Sequence, residues 1–302
     1  DVLKLAGSVS KTDSTVLISG ESGTGKELIA KSVHLASDRR KNPFIAVNCA
    51  ALPENLFESE LFGYEKGAFT GAAKNKAGFL SQAQLGTFFF DEVSEIPLPM
   101  QVKLLRVLQE NEFYPLGSNK KIKMDARIIA ATNKDLTQAV EAGSFRQDLF
   151  YRIHVIPINI PPLRERHACI PLLVDHFIKD FAESMHKKIR RLSNSAMNKI
   201  MEYKWPGNVR ELKNIIEYAV AMSDSDVIGD ELILPDLGDE RASNKLKPLK
   251  TAKKEFEKDY IKDLLLRTGG NVTQAAKLAG KYRADFYELT KKYKLEIDKF
   301  RS

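Results

Sequence analysis

The segment Gly20-Glu21-Ser22-Gly23-Thr24-Gly25-Lys26 constrains this chain more than any other. It has the spacing G-x-x-x-x-G-K. It follows the short apolar run Val16–Ser19 and precedes Glu27–Ala36, which has helical periodicity. Strand, glycine-rich loop and helix in that order are a phosphate-binding loop in an α/β domain. Glycines let backbone N–H groups curl around phosphate oxygens, and the helix N-terminus adds a favourable dipole. Lys26 adds a positive charge near the β- and γ-phosphates. Glu27 stands where a Ser or Thr usually follows the lysine, so magnesium must rely more on other ligands and water. A glycine-rich turn without a ligand is the plain alternative, and the order of elements outweighs it.

Further β-rich runs, Phe44–Val47, Thr87–Phe90, Arg127–Ala131 and Val155–Ile158, alternate with amphipathic stretches such as Pro99–Gln109. Alternation of this kind predicts a mainly parallel sheet flanked by helices, with ligands at the carboxyl ends of its strands. Polar residues stand at those ends. Asp91-Glu92 follow Thr87–Phe90, where Asp91 would hold Mg²⁺ and Glu92 would orient and deprotonate an attacking water. Asn48 follows Phe44–Val47. Thr132-Asn133 follow Arg127–Ala131, and Asn133 could equally cap a helix. Pro161-Pro162 end the strand-rich part. A helical lid is expected over 170–223, a polar stretch over 224–250 and a last helical unit over 251–293.

A chain of 302 residues has room for two or three domains. Mean hydropathy is −0.30, and no apolar run is long enough for a membrane-spanning helix. The chain opens on Asp1 with no basic-then-apolar leader, and without Met it reads as a piece of a longer protein. Its two cysteines, Cys49 and Cys169, have no metal or redox spacing, so a cytoplasmic location is expected. The five histidines are scattered and suggest no metal site. From Lys245 onward there are 16 Lys and Arg against 8 Asp and Glu, a net of +8, while the remainder carries −1. All the excess positive charge therefore sits in the last segment, as in a neutral body carrying a small polyanion-binding module.

Gly67-Ala68-Phe69-Thr70-Gly71-Ala72 is a glycine-flanked loop of small residues with one aromatic, suited to presenting Phe69 and Thr70 to a partner. With this GAFTGA signature the chain resembles, over nearly its whole length, the sigma-54-dependent transcriptional activators of the AAA+ superfamily. The implied fold is α/β: an AAA+ P-loop parallel sheet (1–165) with a helical lid subdomain (166–235), then a linker (236–250) and an all-α Fis-type helix-turn-helix domain (251–302). In that family glutamate normally follows the P-loop lysine, so Glu27 is a family trait. The resemblance implies nucleotide contacts from Gly20–Glu27, from Thr132-Asn133 as sensor I, and from Arg210 as sensor II within Trp205–Leu212. It implies that Asn48 restrains Glu92 until the nucleotide state changes. Arg146 and Arg152 would be arginine fingers reaching a neighbouring subunit's γ-phosphate.

The implied cofactors are ATP and Mg²⁺. The implied partners are the sigma-54 factor of RNA polymerase holoenzyme, contacted by 67–72, double-stranded enhancer DNA, and further copies of the chain, from dimer to hexameric ring. No membrane partner is expected. The family usually carries an N-terminal sensory domain, often the receiver of a two-component regulatory system, and this chain contains none.

Gly269-Gly270-Asn271 reads as a turn and N-cap, with Gln274 completing a start like a capping box. Val272, Ala275, Ala276 and Ala279 share one face of a first short helix, and Gly280 ends it. A second, from about Arg283 to Tyr293, would bury Phe286, Leu289 and Tyr293. The pair makes a helix-turn-helix, with Thr273, Arg283, Tyr287, Lys291 and Lys292 as candidate DNA contacts. Glu288 and Thr290 depart from the basic and leucine residues common in the family. The stripe Phe256, Tyr260, Leu264 and Leu265 suggests dimerisation. Two rival functions are an AAA+ DNA-binding repressor without sigma-54 activity and a P-loop enzyme acting on a small metabolite. The intact GAFTGA argues against the first, and a salt-dependent shift with duplex DNA would count against the second.

Overall fold

The computed structural model describes residues 2–233, 249–293 and 295. The chain divides into two compact units, residues 1–233 and 234–302. The expected linker lies almost wholly outside the described residues. Its last two positions belong to a helix that begins at Leu249.

The first unit is built on five parallel strands, β1 (Val16–Ser19), β2 (Phe44–Asn48), β3 (Thr87–Asp91), β4 (Arg127–Thr132) and β5 (Ile156–Asn159), in the order β2-β3-β4-β1-β5. Each expected run is a strand, the last displaced by one residue, since Val155 lies before it and Asn159 ends it. Asn48, Asp91 and Thr132 are the last residues of their strands rather than the first beyond them, because each still pairs with a neighbour or lies in its ladder. The sheet is buried on both faces, as a parallel sheet covered by helices must be. Phe88 and Phe90 enter one core with Leu17, Ile128 and Ala130, while Phe89 enters the other with Val16, Ile18 and Ile129. Strand alternation alone sends consecutive phenylalanines to opposite sides.

The main helices of this unit are α1 (Val2–Ser10), α2 (Lys26–Leu35), α3 (Glu54–Phe62), α4 (Leu98–Glu110) and α5 (Gln147–Ile153), then α6 (Ile170–Ser184), α7 (Asn194–Glu202) and α8 (Asn208–Met222) in the lid. A two-residue parallel ladder, Arg191-Leu192 with Val227-Ile228, closes the lid. Segments that short carry no periodicity, so neither the expected helical stretch 170–223 nor the expected polar stretch 224–250 anticipated them.

Arg127 is 2% exposed, and from the first residue of β4 its Nη1 and Nη2 donate to the carbonyls of Ser10 and Val9 at 3.2 and 2.9 Å. A cation there donates to carbonyls at the C-terminus of α1, one of which also accepts from Thr12, and complements the helix dipole. Arg127→Met keeps the volume but removes both hydrogen bonds, leaving the Val9 carbonyl only its bonds from Thr12, so we expect a loss of about 2 kcal/mol, read as a lower denaturation midpoint in urea.

The described residues of the second unit form three helices, α9 (Leu249–Arg267), α10 (Val272–Leu278) and α11 (Arg283–Lys292). Their core is Ile261, Leu264, Leu265, Ala275, Ala276, Phe286 and Tyr293. The expected dimerisation stripe is therefore split. Leu264 and Leu265 are consumed by this core, because they lie on the face of α9 that the two shorter helices cover. Only Phe256 and Tyr260, one stacked on the other, stay exposed. Asn271 caps α10 by accepting from Thr273 and Gln274 N–H groups. Its own N–H donates to the Thr268 carbonyl, so the reciprocal half of the capping box is not made. Gly280, at φ +63°, turns the chain between the two short helices.

Candidate nucleotide site

The loop between β1 and α2 wraps a cleft of about 780 Å³ at the carboxyl ends of the strands. Gly25 caps α2 in the left-handed region, so Lys26 is the first helical residue. Gly23, at φ +78°, has no room for a side chain: a Cβ would lie 2.3 Å from the Gly207 carbonyl oxygen. Lys26 is 6% exposed. Its ammonium donates to the carbonyls of Gly20 (2.9 Å) and Glu21 (3.3 Å) and lies 3.6 Å from Glu92 Oε1. Neutral carbonyls are weak partners for a buried cation, and the triphosphate of a nucleotide is a stronger one.

Asp91 and Glu92 line the same cleft as Lys26 and Arg210. Burial, and then the neighbouring Glu92 carboxylate, push the Asp91 carboxyl up from its ordinary range, against the pull of Lys26. A carboxylate made costly in this way is a good ligand for a divalent cation, which restores its charged form. Asp91 beside Glu92 thus fits Mg²⁺. Glu92 itself is held in the left-handed region at φ +52°, strain of a kind found at functional positions. Its Oε2 accepts from the backbone N–H of Asn133 at 3.0 Å. Asn133 therefore reaches the site through its main chain, a role its side-chain chemistry did not suggest.

Two of the strand-end residues are placed differently from expectation. Asn48 sits beside Asp91 in the β2–β3 register, but its Oδ1 accepts from Ala50 N–H at 2.9 Å and caps the following turn. The contacts that restrain Glu92 in this structure are Lys26 and the Asn133 main chain. Thr132 is 1% exposed, and its hydroxyl is taken up by Ser94 and the main chain of Lys134. Such burial leaves it no free face toward the cleft.

The lid meets the phosphate loop directly. Arg210 Nη1 donates to Ser22 Oγ at 3.0 Å, and the N–H groups of Val209 and Arg210, free donors at the start of α8, both reach the Gly23 carbonyl. Three residues that the motifs did not assign complete the contact. Arg164 pairs with the Glu21 carboxylate through both terminal nitrogens (2.9 and 2.5 Å). Arg166 donates to the Thr24 carbonyl (2.9 Å), and Asn208 Nδ2 donates to Glu21 and to the Ser22 carbonyl, both at 3.0 Å. Alternating arginines directly after Pro161-Pro162, at a strand's carboxyl end, were the available signal. Arg146 and Arg152 do not line the cleft. Arg146 pairs with Asp148 two residues on, and Arg152 donates to the Leu108 carbonyl. Glu27 forms an ordinary i,i+4 pair with Lys31.

The loop 67–72 stands on an antiparallel pair, Gly63-Tyr64 with Lys76-Ala77. Gly67 and Gly71 have φ of +86° and +106°, which allows the reversal. Phe69 is 43% exposed, with its ring edge-on to Tyr64 at 4.9 Å, and Thr70 is exposed, while Ala72 is buried. In the second unit Thr273, Arg283, Tyr287, Lys291 and Lys292 are all exposed. Lys291 lies over the Tyr287 ring, whereas Lys292 pairs with Glu257 within the domain. Thr290, where leucine is common, is buried, and its hydroxyl donates to the Tyr287 carbonyl.

Residues 1–159 match the Sigma-54 interaction domain, 164–249 the AAA+ ATPase lid domain and 254–280 the bacterial regulatory protein, Fis family. The last match stops before α11. Transcriptional regulatory protein GlrR of Escherichia coli K12 is 47% identical over 300 residues, 99% of this chain and 67% of that protein. Regulatory protein AtoC of the same organism is 46% identical over 298 residues, 96% of this chain and 65% of that protein. NtrX from Brucella abortus in complex with ATP superposes with a TM-score of 0.76 at 33% identity, covering 97% of this chain and 66% of that one. The chain thus spans about two thirds of the length of these relatives. Hsp104 of S. cerevisiae, at 20% identity and a TM-score of 0.52, shares the fold alone. No helix among the described residues is long and apolar enough to cross a membrane.

Proposed function

The chain belongs to the sigma-54-dependent transcriptional regulators of the AAA+ class, and from that premise we propose that it uses ATP hydrolysis to drive the loop 67–72 against sigma-54, remodelling the closed RNA polymerase complex into the open one. It is an ATPase carrying a helix-turn-helix DNA-binding module. The observation that carries the proposal is the loop itself, which stands on a two-stranded stem and offers the Phe69 ring and the Thr70 side chain outward.

In this reading the phosphates lie along the N–H groups of Gly23 to Lys26, and Lys26 exchanges its carbonyl partners for phosphate oxygens. Asp91 would hold Mg²⁺, which when bound would supply charge neutralisation to the phosphates. Glu92 accepts a proton from the attacking water. Arg146 and Arg152, remote from their own chain's cleft, serve the cleft of a neighbouring copy in a closed ring. Asn48 is placed to relay the state of the site. It stands beside Asp91, and the chain runs from it through the turn Cys49–Ala51 and α3 into the loop stem. When Asn48 leaves Ala50 for Glu92, α3 and the loop can shift with it. The helix-turn-helix holds the assembly on enhancer duplex through Arg283, Tyr287 and Lys291, with Thr273 and Lys292 at its flanks.

The test is open-complex formation on a sigma-54 promoter with ATP. The wild-type chain should open the promoter. Thr70→Val should abolish opening while ATPase turnover stays within about twofold, since the loop does not line the cleft. ATP-driven turnover with no opening by the wild-type chain would overturn the proposal and favour the repressor reading.

A further inference from the structure

The lid grips the phosphate loop through the loop's own polar groups. We propose that Glu21 is a positioning residue that latches the phosphate loop to the lid through Arg164 and Asn208, so that nucleotide affinity depends on the state of the lid. The inference rests on the ATPase reading and assigns a task that the phosphate-loop motif does not contain.

The Glu21 carboxylate accepts from both terminal nitrogens of Arg164 and from Asn208 Nδ2. Within the same loop, Ser22 O accepts from Asn208, Gly23 O from the first N–H groups of α8, and Thr24 O from Arg166. Four consecutive loop residues are therefore tied to segments that flank or begin the lid. If the loop only had to cradle phosphates through its N–H groups, its carbonyls and the Glu21 side chain would have no need of such partners.

Asn208 is the pivot. It is 0% exposed, and its Oδ1 accepts from Leu163 N–H at 2.8 Å, so one side chain joins Leu163, Glu21 and Ser22. It holds a left-handed backbone at φ +54°, and Trp205, three residues earlier, does so at φ +51°. Strained residues persist only where surrounding contacts hold them, and they relax when those contacts change. Trp205 is the chain's only tryptophan and is itself fully buried, edge-on to Tyr203 at 5.0 Å.

Ionisation favours a latch that stays engaged. The hydrogen bonds from Arg164, then Asn208, lower the Glu21 carboxyl from 4.5 to about 2. With a depressed folded value, its contribution is complete above about pH 4.5 and fades only as pH falls toward 2. The latch is thus insensitive to pH in any physiological range. Both partners are 42% exposed, and exposed ion pairs add little to folding stability. Coupling, rather than stability, is what the pair can supply.

The experiment is calorimetric titration of ADP into the 302-residue chain and into Glu21→Gln, Arg164→Gln and the double variant, with Trp205 emission followed in parallel. Each single change should weaken ADP about tenfold, and the double should be no weaker than Glu21→Gln alone, because both remove one interaction. ADP should change Trp205 emission in the wild type, and that change should be lost in all three variants, with unliganded melting temperatures unchanged. Wild-type affinity in Glu21→Gln, or losses that multiply in the double variant, would overturn the latch while leaving the ATPase reading intact. A wild-type chain that does not bind ADP would remove both. If Glu21→Gln does not fold, Arg164→Gln decides alone: wild-type affinity and an unchanged Trp205 response would dismiss the latch.

Discussion

Arg146→Ala is expected to lower the ATPase turnover by about 10³-fold or more while leaving nucleotide affinity nearly unchanged, the size of effect that an arginine supplied to a transferring phosphoryl group carries. In its own chain Arg146 is bound to Asp148 and lies outside the cleft, so it has no cis role to lose. Its partner Asp148 is only two residues away and half-exposed, an ion pair that a phosphate could displace. Wild-type turnover should rise steeply with protein concentration as subunits associate. Mixing the variant with Glu92→Gln, which keeps the finger, should restore part of the activity, since each subunit then supplies what the other lacks. Turnover that is independent of concentration, with Arg146→Ala as active as wild type, would rule out catalysis between subunits. Arg152→Ala should behave likewise in turnover. It also frees the Leu108 carbonyl, so its melting temperature should be measured beside its rate.

Glu92→Gln should bind ATP at least as well as wild type and hydrolyse it about 10²–10⁴-fold more slowly, the usual contribution of a positioned general base. The change keeps the shape and the hydrogen bond from Asn133 N–H, but removes the carboxylate that receives the proton. It also removes a single negative charge that lies 3.6 Å from Lys26 and pushes up the Asp91 carboxyl. Both effects favour binding of an anionic nucleotide. Single-turnover measurements separate the two quantities: a slow chemical step with unchanged or tighter affinity is expected. Equal hydrolysis by the variant would dismiss Glu92 as the base and leave water activation to another group.

Much of the site could be read along the chain because its chemistry is local. The phosphate loop needs a strand, glycines and a helix start within a dozen residues, and Gly20 to Glu27 show all of them. Asp91-Glu92 are legible because a buried run ends abruptly in two carboxylates. The loop 67–72 and the helix-turn-helix are likewise short, continuous signals. Each depends on neighbours in sequence, where spacing alone determines which groups can act together.

The remainder depended on partners far apart in the chain. Asn48 and Asp91 are adjacent strand ends in either reading. Whether the side-chain amide is turned to cap Ala50 or to hold Glu92 is decided only by the packed turn. Arg164, Arg166 and Asn208 lie more than a hundred residues from the loop they hold, and nothing in their local pattern names that partner. Phe256, Tyr260, Leu264 and Leu265 form one stripe in sequence, yet folding gave two to a core and left two in solvent, because α10 and α11 cover only part of α9. The sequence by itself thus determined the phosphate loop, the acidic pair and the glycine-flanked loop 67–72, each of which is a matter of residue type and spacing. The tertiary structure alone decided how the lid is fastened to that loop and which strand-end groups are free, because long-range contacts are settled by competition among partners that chain order does not rank.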